Sequence, residues 1–362
     1  MGEVQQNTLY LVTPGSYVSR DHLTLQVKVP LRADGSPATV ENHKSEITNH
    51  RCLSIPIHHL ESICVFGPST ISPPALDLCW EHGVAVNYLS ENGYLQARMT
   101  GVADTSVTLR RTHFRVADDT ARCTAISRQI VAGKIQNSRN SLLRAARESQ
   151  SEPERERLQT VIDTLGRQVT DLPSQDDRDR IRGAEGLASQ QYFSVLSLTL
   201  KQQREEFAFT TRSRRPPRDR INCLLSFLYA LVRHDCIAGL TSAGLDPFVG
   251  FFHVDRPNRP SLALDLMEEF RPWLSDRLAI TLINRQQIGA QHFNEREGGA
   301  VEFTDAGRKL VIKAYQERKQ ESLTHPLLEQ ELRIAQLPFV QARILARHLR
   351  GDLADYLPFV PK

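Results

Sequence analysis

The sequence predicts an α+β protein of two unequal domains, a small β-rich one over residues 1–100 and a larger helical one over 103–362. Three observations carry that prediction. A chain of 362 residues is long enough for two cores, at roughly 100–200 residues per domain. Up to about residue 97 apolar positions alternate with period two, as in half-buried strands. After Thr100-Gly101 they recur at three and four, and proline is absent until Pro153, the pattern of long amphipathic helices.

Each element follows in order. Thr8-Leu9-Tyr10-Leu11-Val12 reads as a strand ended by the turn residues Thr13-Pro14-Gly15-Ser16. The stretch 22–29 alternates apolar and polar residues and predicts a second strand. The polar segment 32–49, holding Asp34-Gly35-Ser36-Pro37, predicts a long hairpin or loop before strands at 53–57 and 62–66. Ser72-Pro73-Pro74 opens a short helix with Leu76, Leu78 and Cys79 as buried candidates and Gly83 at its end. Strands at 84–89 and 94–98 flank Ser90-Glu91-Asn92-Gly93, a hairpin-turn sequence. In the second domain helices fit 106–132, 134–148, 152–170, 184–202, 219–238, 262–270, 304–324 and 327–349. One hairpin interrupts them around 291–303, turning at Glu297-Gly298-Gly299.

Composition removes several classes. A charged fraction of 24% with 19 Gly and 19 Pro argues against a disordered or fibrous chain. The first eight residues are polar and carry no signal-peptide pattern. The apolar runs at 54–66 and 224–232 fall short of the roughly 20 residues that span a bilayer, so a membrane protein is not expected. The six cysteines, at 52, 64, 79, 123, 223 and 236, form no Cys-x-x-Cys pair and no zinc-finger spacing. They predict reduced thiols and a cytoplasmic location.

The net charge of +3 hides local segregation. Residues 110–147 carry nine basic groups against Asp118 and Asp119, and 201–220 carry seven against three acids. Arg122, Lys134, Arg139, Arg212, Arg214, Arg215 and Arg218 lie in these segments. Either segment alone reads as a solvated surface; two in one domain favour a nucleic-acid or polyphosphate ligand, because the arginine fork suits phosphate oxygens.

Three short constellations carry chemistry-bearing groups. Gly183-Ala184-Glu185-Gly186 sets an acid between small residues at the predicted start of a helix, where it serves either a ligand or the helix dipole. Gly250-Phe251-Phe252-His253 ends an apolar run in an imidazole, followed by a turn holding Arg256 and Arg259. In 262–272, Asp265 and Glu268 share a helix face amid leucines, so they need a compensating cation. Arg271 or Arg259 would be a structural answer and a hard divalent metal a functional one. Two or three carboxylates with one imidazole suit Mg²⁺ or Mn²⁺, and such an ion beside arginines is what phosphodiester chemistry requires. The chain has no phosphate-binding P-loop, no Gly-x-Ser-x-Gly elbow and no His-Glu-x-x-His helix.

Taken together with 214–229, which holds Asn222 and Tyr229, and with 239–247, these stretches resemble the CRISPR-associated spacer-acquisition integrases, the Cas-one family. The resemblance is strong over 183–273 and architectural over the first hundred residues. It implies a β-sandwich-like N-terminal domain, a helical catalytic domain, and a homodimer built through the N-terminal domains. The family's metal ligands fall on Glu185, His253 and Glu268, the last standing where many members have Asp; Asp265 matches a further active-site acid. Asn222 and Tyr229 match supporting residues. The implied activity is a metal-dependent DNA endonuclease and integrase that joins 3′-OH ends of short DNA to the CRISPR repeat. The small Cas-two protein is the implied partner. The wording of 264–271 is similar to type I members, subtype C, which adds a Cas-four nuclease. DNA-binding candidates are the seven basic residues above with Arg256, Arg259 and Arg271. Two rival readings are a non-catalytic basic DNA-binding dimer and a metal-dependent RNA nuclease.

Overall fold

The computed structural model describes residues 8–32, 47–60, 62–90, 95–101 and 107–361. The chain divides into two compact units, Met1–Asp104 and Thr105–Lys362.

Among the described residues, the first unit holds two four-stranded sheets and one α-helix. One sheet has the order β1 (Thr8–Leu11), β5 (Ser62–Phe66), β7 (Ala85–Leu89), β8 (Leu95–Met99); the other runs β4 (Ile47–Pro56), β3 (Thr24–Arg32), β2 (Tyr17–Asp21), β6 (Thr70–Ile71). Their inward residues meet in one core: Val18, Leu25 and Val27 from the second sheet, Ile63, Val65 and Val86 from the first. Helix α1 (Pro73–Glu81) adds Ala75, Leu78 and Cys79 to that core. Leu76, expected among them, is only partly buried, and Ala75 takes the inner position. The strand alternation is correctly legible, but the pairing is not a simple meander. β1, β5 and β7 are parallel, and α1 supplies the crossover between β5 and β7 that a parallel pair needs. β3 and β4 pair antiparallel along nearly their whole length, with most of the loop predicted at 32–49 outside the described residues. β7 and β8 are likewise antiparallel, and the Glu91-Asn92-Gly93 turn lies outside the described residues.

The second unit is mainly helical. α2 (Val107–Asp118) and α3 (Thr120–Glu148) break at Asp119, whose carboxylate accepts the Arg122 amide and caps α3. The break expected at Gly133 does not occur. That glycine is required instead by close packing, since a Cβ there would stand 2.6 Å from Pro358 Cβ. α4 (Glu152–Asp171) and α5 (Arg178–Ser194) follow. α5 begins six residues before the expected start, because Asp177 caps it. α6 (Arg220–Ser242) is capped by Asp219. By length and composition α6 could cross a bilayer, contrary to the short-run reading, but 78% of its apolar window is buried inside the unit, as in a core helix.

α7 (Ser261–Met267) ends earlier than expected and passes into a π-helical turn, Arg271–Asp276, before α8 (Arg277–Asn284). The hairpin of β9 (Phe293–Glu295) and β10 (Val301–Phe303) forms where predicted, with Gly298 and Gly299 at positive φ. α9 (Asp305–Gln320) stops short of 324. A second hairpin, β11 (Ser322–Thr324) with β12 (Glu331–Arg333), replaces the start of the helix expected at 327, and α10 runs only over Leu337–Arg350. The second unit is therefore not wholly helical.

Candidate active site

Four segments of the helical unit converge on one charged cluster: the middle of α3, the second and third turns of α5, the turn 250–255 and the end of α7. Asp265, on α7, is 1% exposed. Its Oδ2 accepts the amides of Phe251 (2.7 Å) and Phe252 (3.0 Å), and its Oδ1 accepts the amide of His253 (2.8 Å) and His253 Nδ1 (2.7 Å). The 250–253 turn is thus strapped onto one carboxylate. Gly250 makes this possible, since a Cβ there would lie 2.7 Å from Ser261 Cβ. A carboxylate facing Nδ1 keeps the proton on that nitrogen, leaving Nε2 as the basic one. Asp265 therefore orients His253 and has no lone pair in the cluster itself.

His253 Nε2 lies 3.7 Å from Glu268 Oε1. Glu268 is 2% exposed, and Arg271 approaches the same oxygen at 3.1 Å. Burial would push this carboxyl up, but Arg271, Lys134 and His253 outweigh it and hold its pKa down at about 2. Glu185, on α5, accepts from Ser189 Oγ at 2.8 Å and from the ammonium of Lys134. The same ammonium lies 2.7 Å from Glu268 Oε2, as an ion contact without hydrogen-bond geometry.

The structure places Glu185, His253 and Glu268 in one cluster, with Asp265 behind the imidazole. Glu185 does not serve a helix N-terminus; it lies two turns into α5. Lys134, counted among the surface DNA-binding candidates, is instead buried between the two glutamates. Among the described residues, no three His, Cys, Asp or Glu side chains close on a common point; the Lys134 ammonium stands between the carboxylates. A trace of this was present in the sequence. Lys134 falls in register with Ile130 and Ser127 on the inward face of α3.

Asn222 and Tyr229 support the cluster from α6. Asn222 Oδ1 accepts from Arg212 Nη1 (2.7 Å) and the Ser213 amide, and its Nδ2 donates to Thr211 O. Arg212 so held lies over the Tyr229 ring at 5.3 Å, and Arg271 lies over it at 5.0 Å. The Tyr229 hydroxyl donates to Asp276 Oδ1 at 2.6 Å, a partner missed in the sequence. Two guanidinium groups thus pack over one anchored ring, and one of them, Arg271, reaches Glu268.

Of the remaining basic candidates, Arg122, Arg214, Arg215, Arg218 and Arg256 are exposed. Arg259 is half-buried. Arg139 donates from Nε to Ile162 O and joins α3 to α4, while Arg212 and Arg271 turn inward, so these three serve packing; exposed Arg218 also donates from Nη1 to Gly298 O. An open cleft of about 900 Å³ runs past His253, bordered by Thr120, Thr124, Arg178, Arg182 and Asp255.

Residues 9–317 match the family model of CRISPR associated protein Cas1. The chain is 43% identical over 354 residues to the CRISPR-associated endonuclease Cas1 1 of Moorella thermoacetica, covering 98% of both. It is 32% identical over 357 residues to a CRISPR-associated exonuclease Cas4/endonuclease Cas1 fusion of Rhodospirillum rubrum, covering 98% of this chain and 57% of that one. Among solved structures, its fold is similar to a casposase bound to integration product (TM-score 0.81, 21% identity, 97% of this chain and 92% of that one). It is also similar to a chain of a Cas6-RT-Cas1–Cas2 complex (TM-score 0.76, 24% identity, 99% of this chain and 36% of that one). The family match over most of the chain and the identity to these relatives place it among the CRISPR-associated proteins. The chain belongs to the Cas1 family.

Proposed function

We propose that this chain is a metal-dependent DNA endonuclease and integrase of CRISPR adaptation, which joins 3′-OH ends of short foreign DNA to the CRISPR repeat and cleaves branched DNA. One observation carries the reading. Three groups from segments far apart in sequence gather in one largely buried cluster of a Cas1-family chain, Glu185 and Glu268 on the Lys134 ammonium and His253 Nε2 at 3.7 Å from Glu268.

The donor set fits Mg²⁺ or Mn²⁺. Glu268 Oε2 is buried with the Lys134 ammonium against it, Glu268 stays ionised, and Asp265 faces Nδ1 of His253, which leaves Nε2 turned toward Glu268. Two carboxylates with one imidazole make a hard site that tolerates Mn²⁺ well. A bound divalent ion would polarise the phosphoryl oxygen and promote deprotonation of the attacking hydroxyl. Asp265 holds the imidazole in orientation and keeps its proton on Nδ1, and Arg271 fixes the Glu268 carboxylate. Exposed Arg122, Arg214, Arg215, Arg218 and Arg256 would hold DNA phosphates without reading bases.

The name of the Rhodospirillum rubrum relative supports Cas4 as a partner, and that of the Cas1–Cas2 complex supports Cas2. A homodimer and a cytoplasmic location complete the proposal, the latter favoured by six unbridged cysteines.

The test incubates the purified protein with branched, repeat-like DNA in Mn²⁺, Mg²⁺ or EDTA, beside Glu185→Ala and His253→Ala. Strand transfer or cleavage that needs metal and is lost in both variants is expected. Full activity in the variants overturns the ligand assignment. Tight binding without chemistry, with Cas2 added, favours a non-catalytic DNA-binding dimer, and preference for RNA favours the nuclease of the other class.

A further inference from the structure

Lys134 occupies the centre of the cluster. Only 11% of its side chain is accessible, and its ammonium touches a carboxylate oxygen of Glu185 and one of Glu268 at once. Mg²⁺ draws its oxygen ligands to about 2.0–2.1 Å around one centre. The two oxygens that would do this here already share a centre, the Lys134 nitrogen, and two cations cannot occupy it together. The charge count agrees. Lys134 and Arg271 already offset Glu185 and Glu268, so a divalent ion added with Lys134 in place would leave a largely buried excess of positive charge.

We infer, on the metal reading above, that Lys134 is the resident cation of the site, holding Glu185 and Glu268 together until it withdraws for a divalent ion. The backbone beneath it is fixed. Gly133 packs against Pro358, and Asn137 Nδ2 donates to the carbonyls of Glu269 (2.7 Å) and Phe359 (2.8 Å). Withdrawal is therefore a rotation of the lysine side chain, with α3 held in place by the C-terminal tail. Metal binding then includes the free energy of breaking two ion contacts, so the apparent affinity is lower than the carboxylates alone would give.

Two measurements on the full chain test this. Reductive methylation, read by mass spectrometry of peptides, reports whether each lysine is shielded. Lys134 should label slowly without Mn²⁺, as should Lys319, which is buried against Asp235. Saturating Mn²⁺ should speed labelling of Lys134 by about fivefold or more and leave Lys319 unchanged, tracking the withdrawn population. Calorimetry should show Lys134→Met binding Mn²⁺ about tenfold more tightly than the unsubstituted chain, because the competing cation is gone. Unchanged labelling of Lys134 at saturating Mn²⁺, or Lys134→Met binding no more tightly, overturns the inference. Glu185→Gln separates the two levels. Mn²⁺ binding that ignores this substitution overturns the metal reading and the inference with it; binding that needs Glu185 yet leaves Lys134 shielded overturns the lysine inference alone.

Discussion

Glu268 and Glu269 are adjacent, and each is 2% exposed, yet they face different neighbourhoods. Around Glu268 stand Arg271, Lys134 and His253, which overcome burial and hold its pKa at about 2. Around Glu269 stand only neutral donors: the Phe359 amide at 2.5 Å, the Tyr356 hydroxyl at 2.9 Å and Gln341 Nε2. Burial wins there, and the pKa is pushed up to about 7. Equal burial thus yields one permanently charged carboxylate and one that takes a proton near neutrality. The sign of the neighbours decides which acid can serve a cation, and which one instead ties the C-terminal tail to the back of the site.

The sharpest way to break the comparison is to neutralise each acid in turn. Glu268→Gln is expected to lower metal-dependent DNA cleavage by more than about 100-fold, beyond what loss of an orienting partner costs. Glu269→Gln should leave most cleavage intact at neutral pH. Comparable losses in both would show that the tail-facing carboxylate matters to chemistry and that the division between the two sides is wrong. Asp265→Asn should fall between them. It preserves shape but places an amide against at least one of four donors and releases the Nδ1 proton, so Mn²⁺ affinity by calorimetry should fall about 10–100-fold. A variant with undiminished affinity would remove Asp265 from the orienting role.

How far such roles could be read in the sequence varied with the kind of signal. Period-two alternation located the strands, and the 3.6-residue pattern located the helices. Periodicity carries no information on partner order, so the parallel β1–β5–β7 pairing was not legible. Helix ends were missed where a small residue was taken for a boundary. Gly133 and the glycines flanking Glu185 lie inside α3 and α5, and the capping acids Asp119 and Asp177 set the true starts. In the site, Glu185, His253 and Glu268 were legible as an ordered set through the family resemblance, because each of them alone also had a structural reading as a helix-dipole, turn or ion-pair residue. Lys134 was not, since a basic residue in a basic segment reads as surface; its burial depends on α5 and α7, more than forty residues away. Asp265 was found but its task was not, because four donors arriving from a folded-back turn leave no trace in spacing.

A smaller effect concerns pH. The protonation behaviour of Glu269 favours the folded state at low pH. Its folded pKa lies above the ordinary value of 4.5, so its contribution is fully present below that value and is lost as pH rises to about 7. The loss amounts to roughly 3 kcal/mol. Glu268 has the opposite sign, its contribution being present above 4.5 and lost as pH falls toward about 2. Urea unfolding from pH 4.5 to 8 should therefore show a flatter profile for Glu269→Gln than for the unsubstituted chain. Parallel profiles would mean that Glu269 does not titrate in this range.

The smallest expected effect tests whether Tyr229 acts through its ring or its hydroxyl. Asp276 is buried, and burial raises its pKa to about 6 against the opposing Tyr229 hydroxyl and the Arg212 and Arg271 charges. Tyr229→Phe removes one donor from this carboxylate, at a cost of about 1–2 kcal/mol. The carboxyl rises further, so the deficit should be greater at pH 8 than at pH 6, where protonation relieves the ionised form. The ring remains in contact with Arg212 and Arg271, so Arg271 keeps its position on Glu268, and cleavage should stay within about threefold. Tyr229→Leu removes the aromatic face as well and should cost more activity than Tyr229→Phe at comparable stability. Equal activity losses in the two would place the contribution in the hydroxyl and Asp276, and the stacked arginine would no longer explain how α6 supports the site.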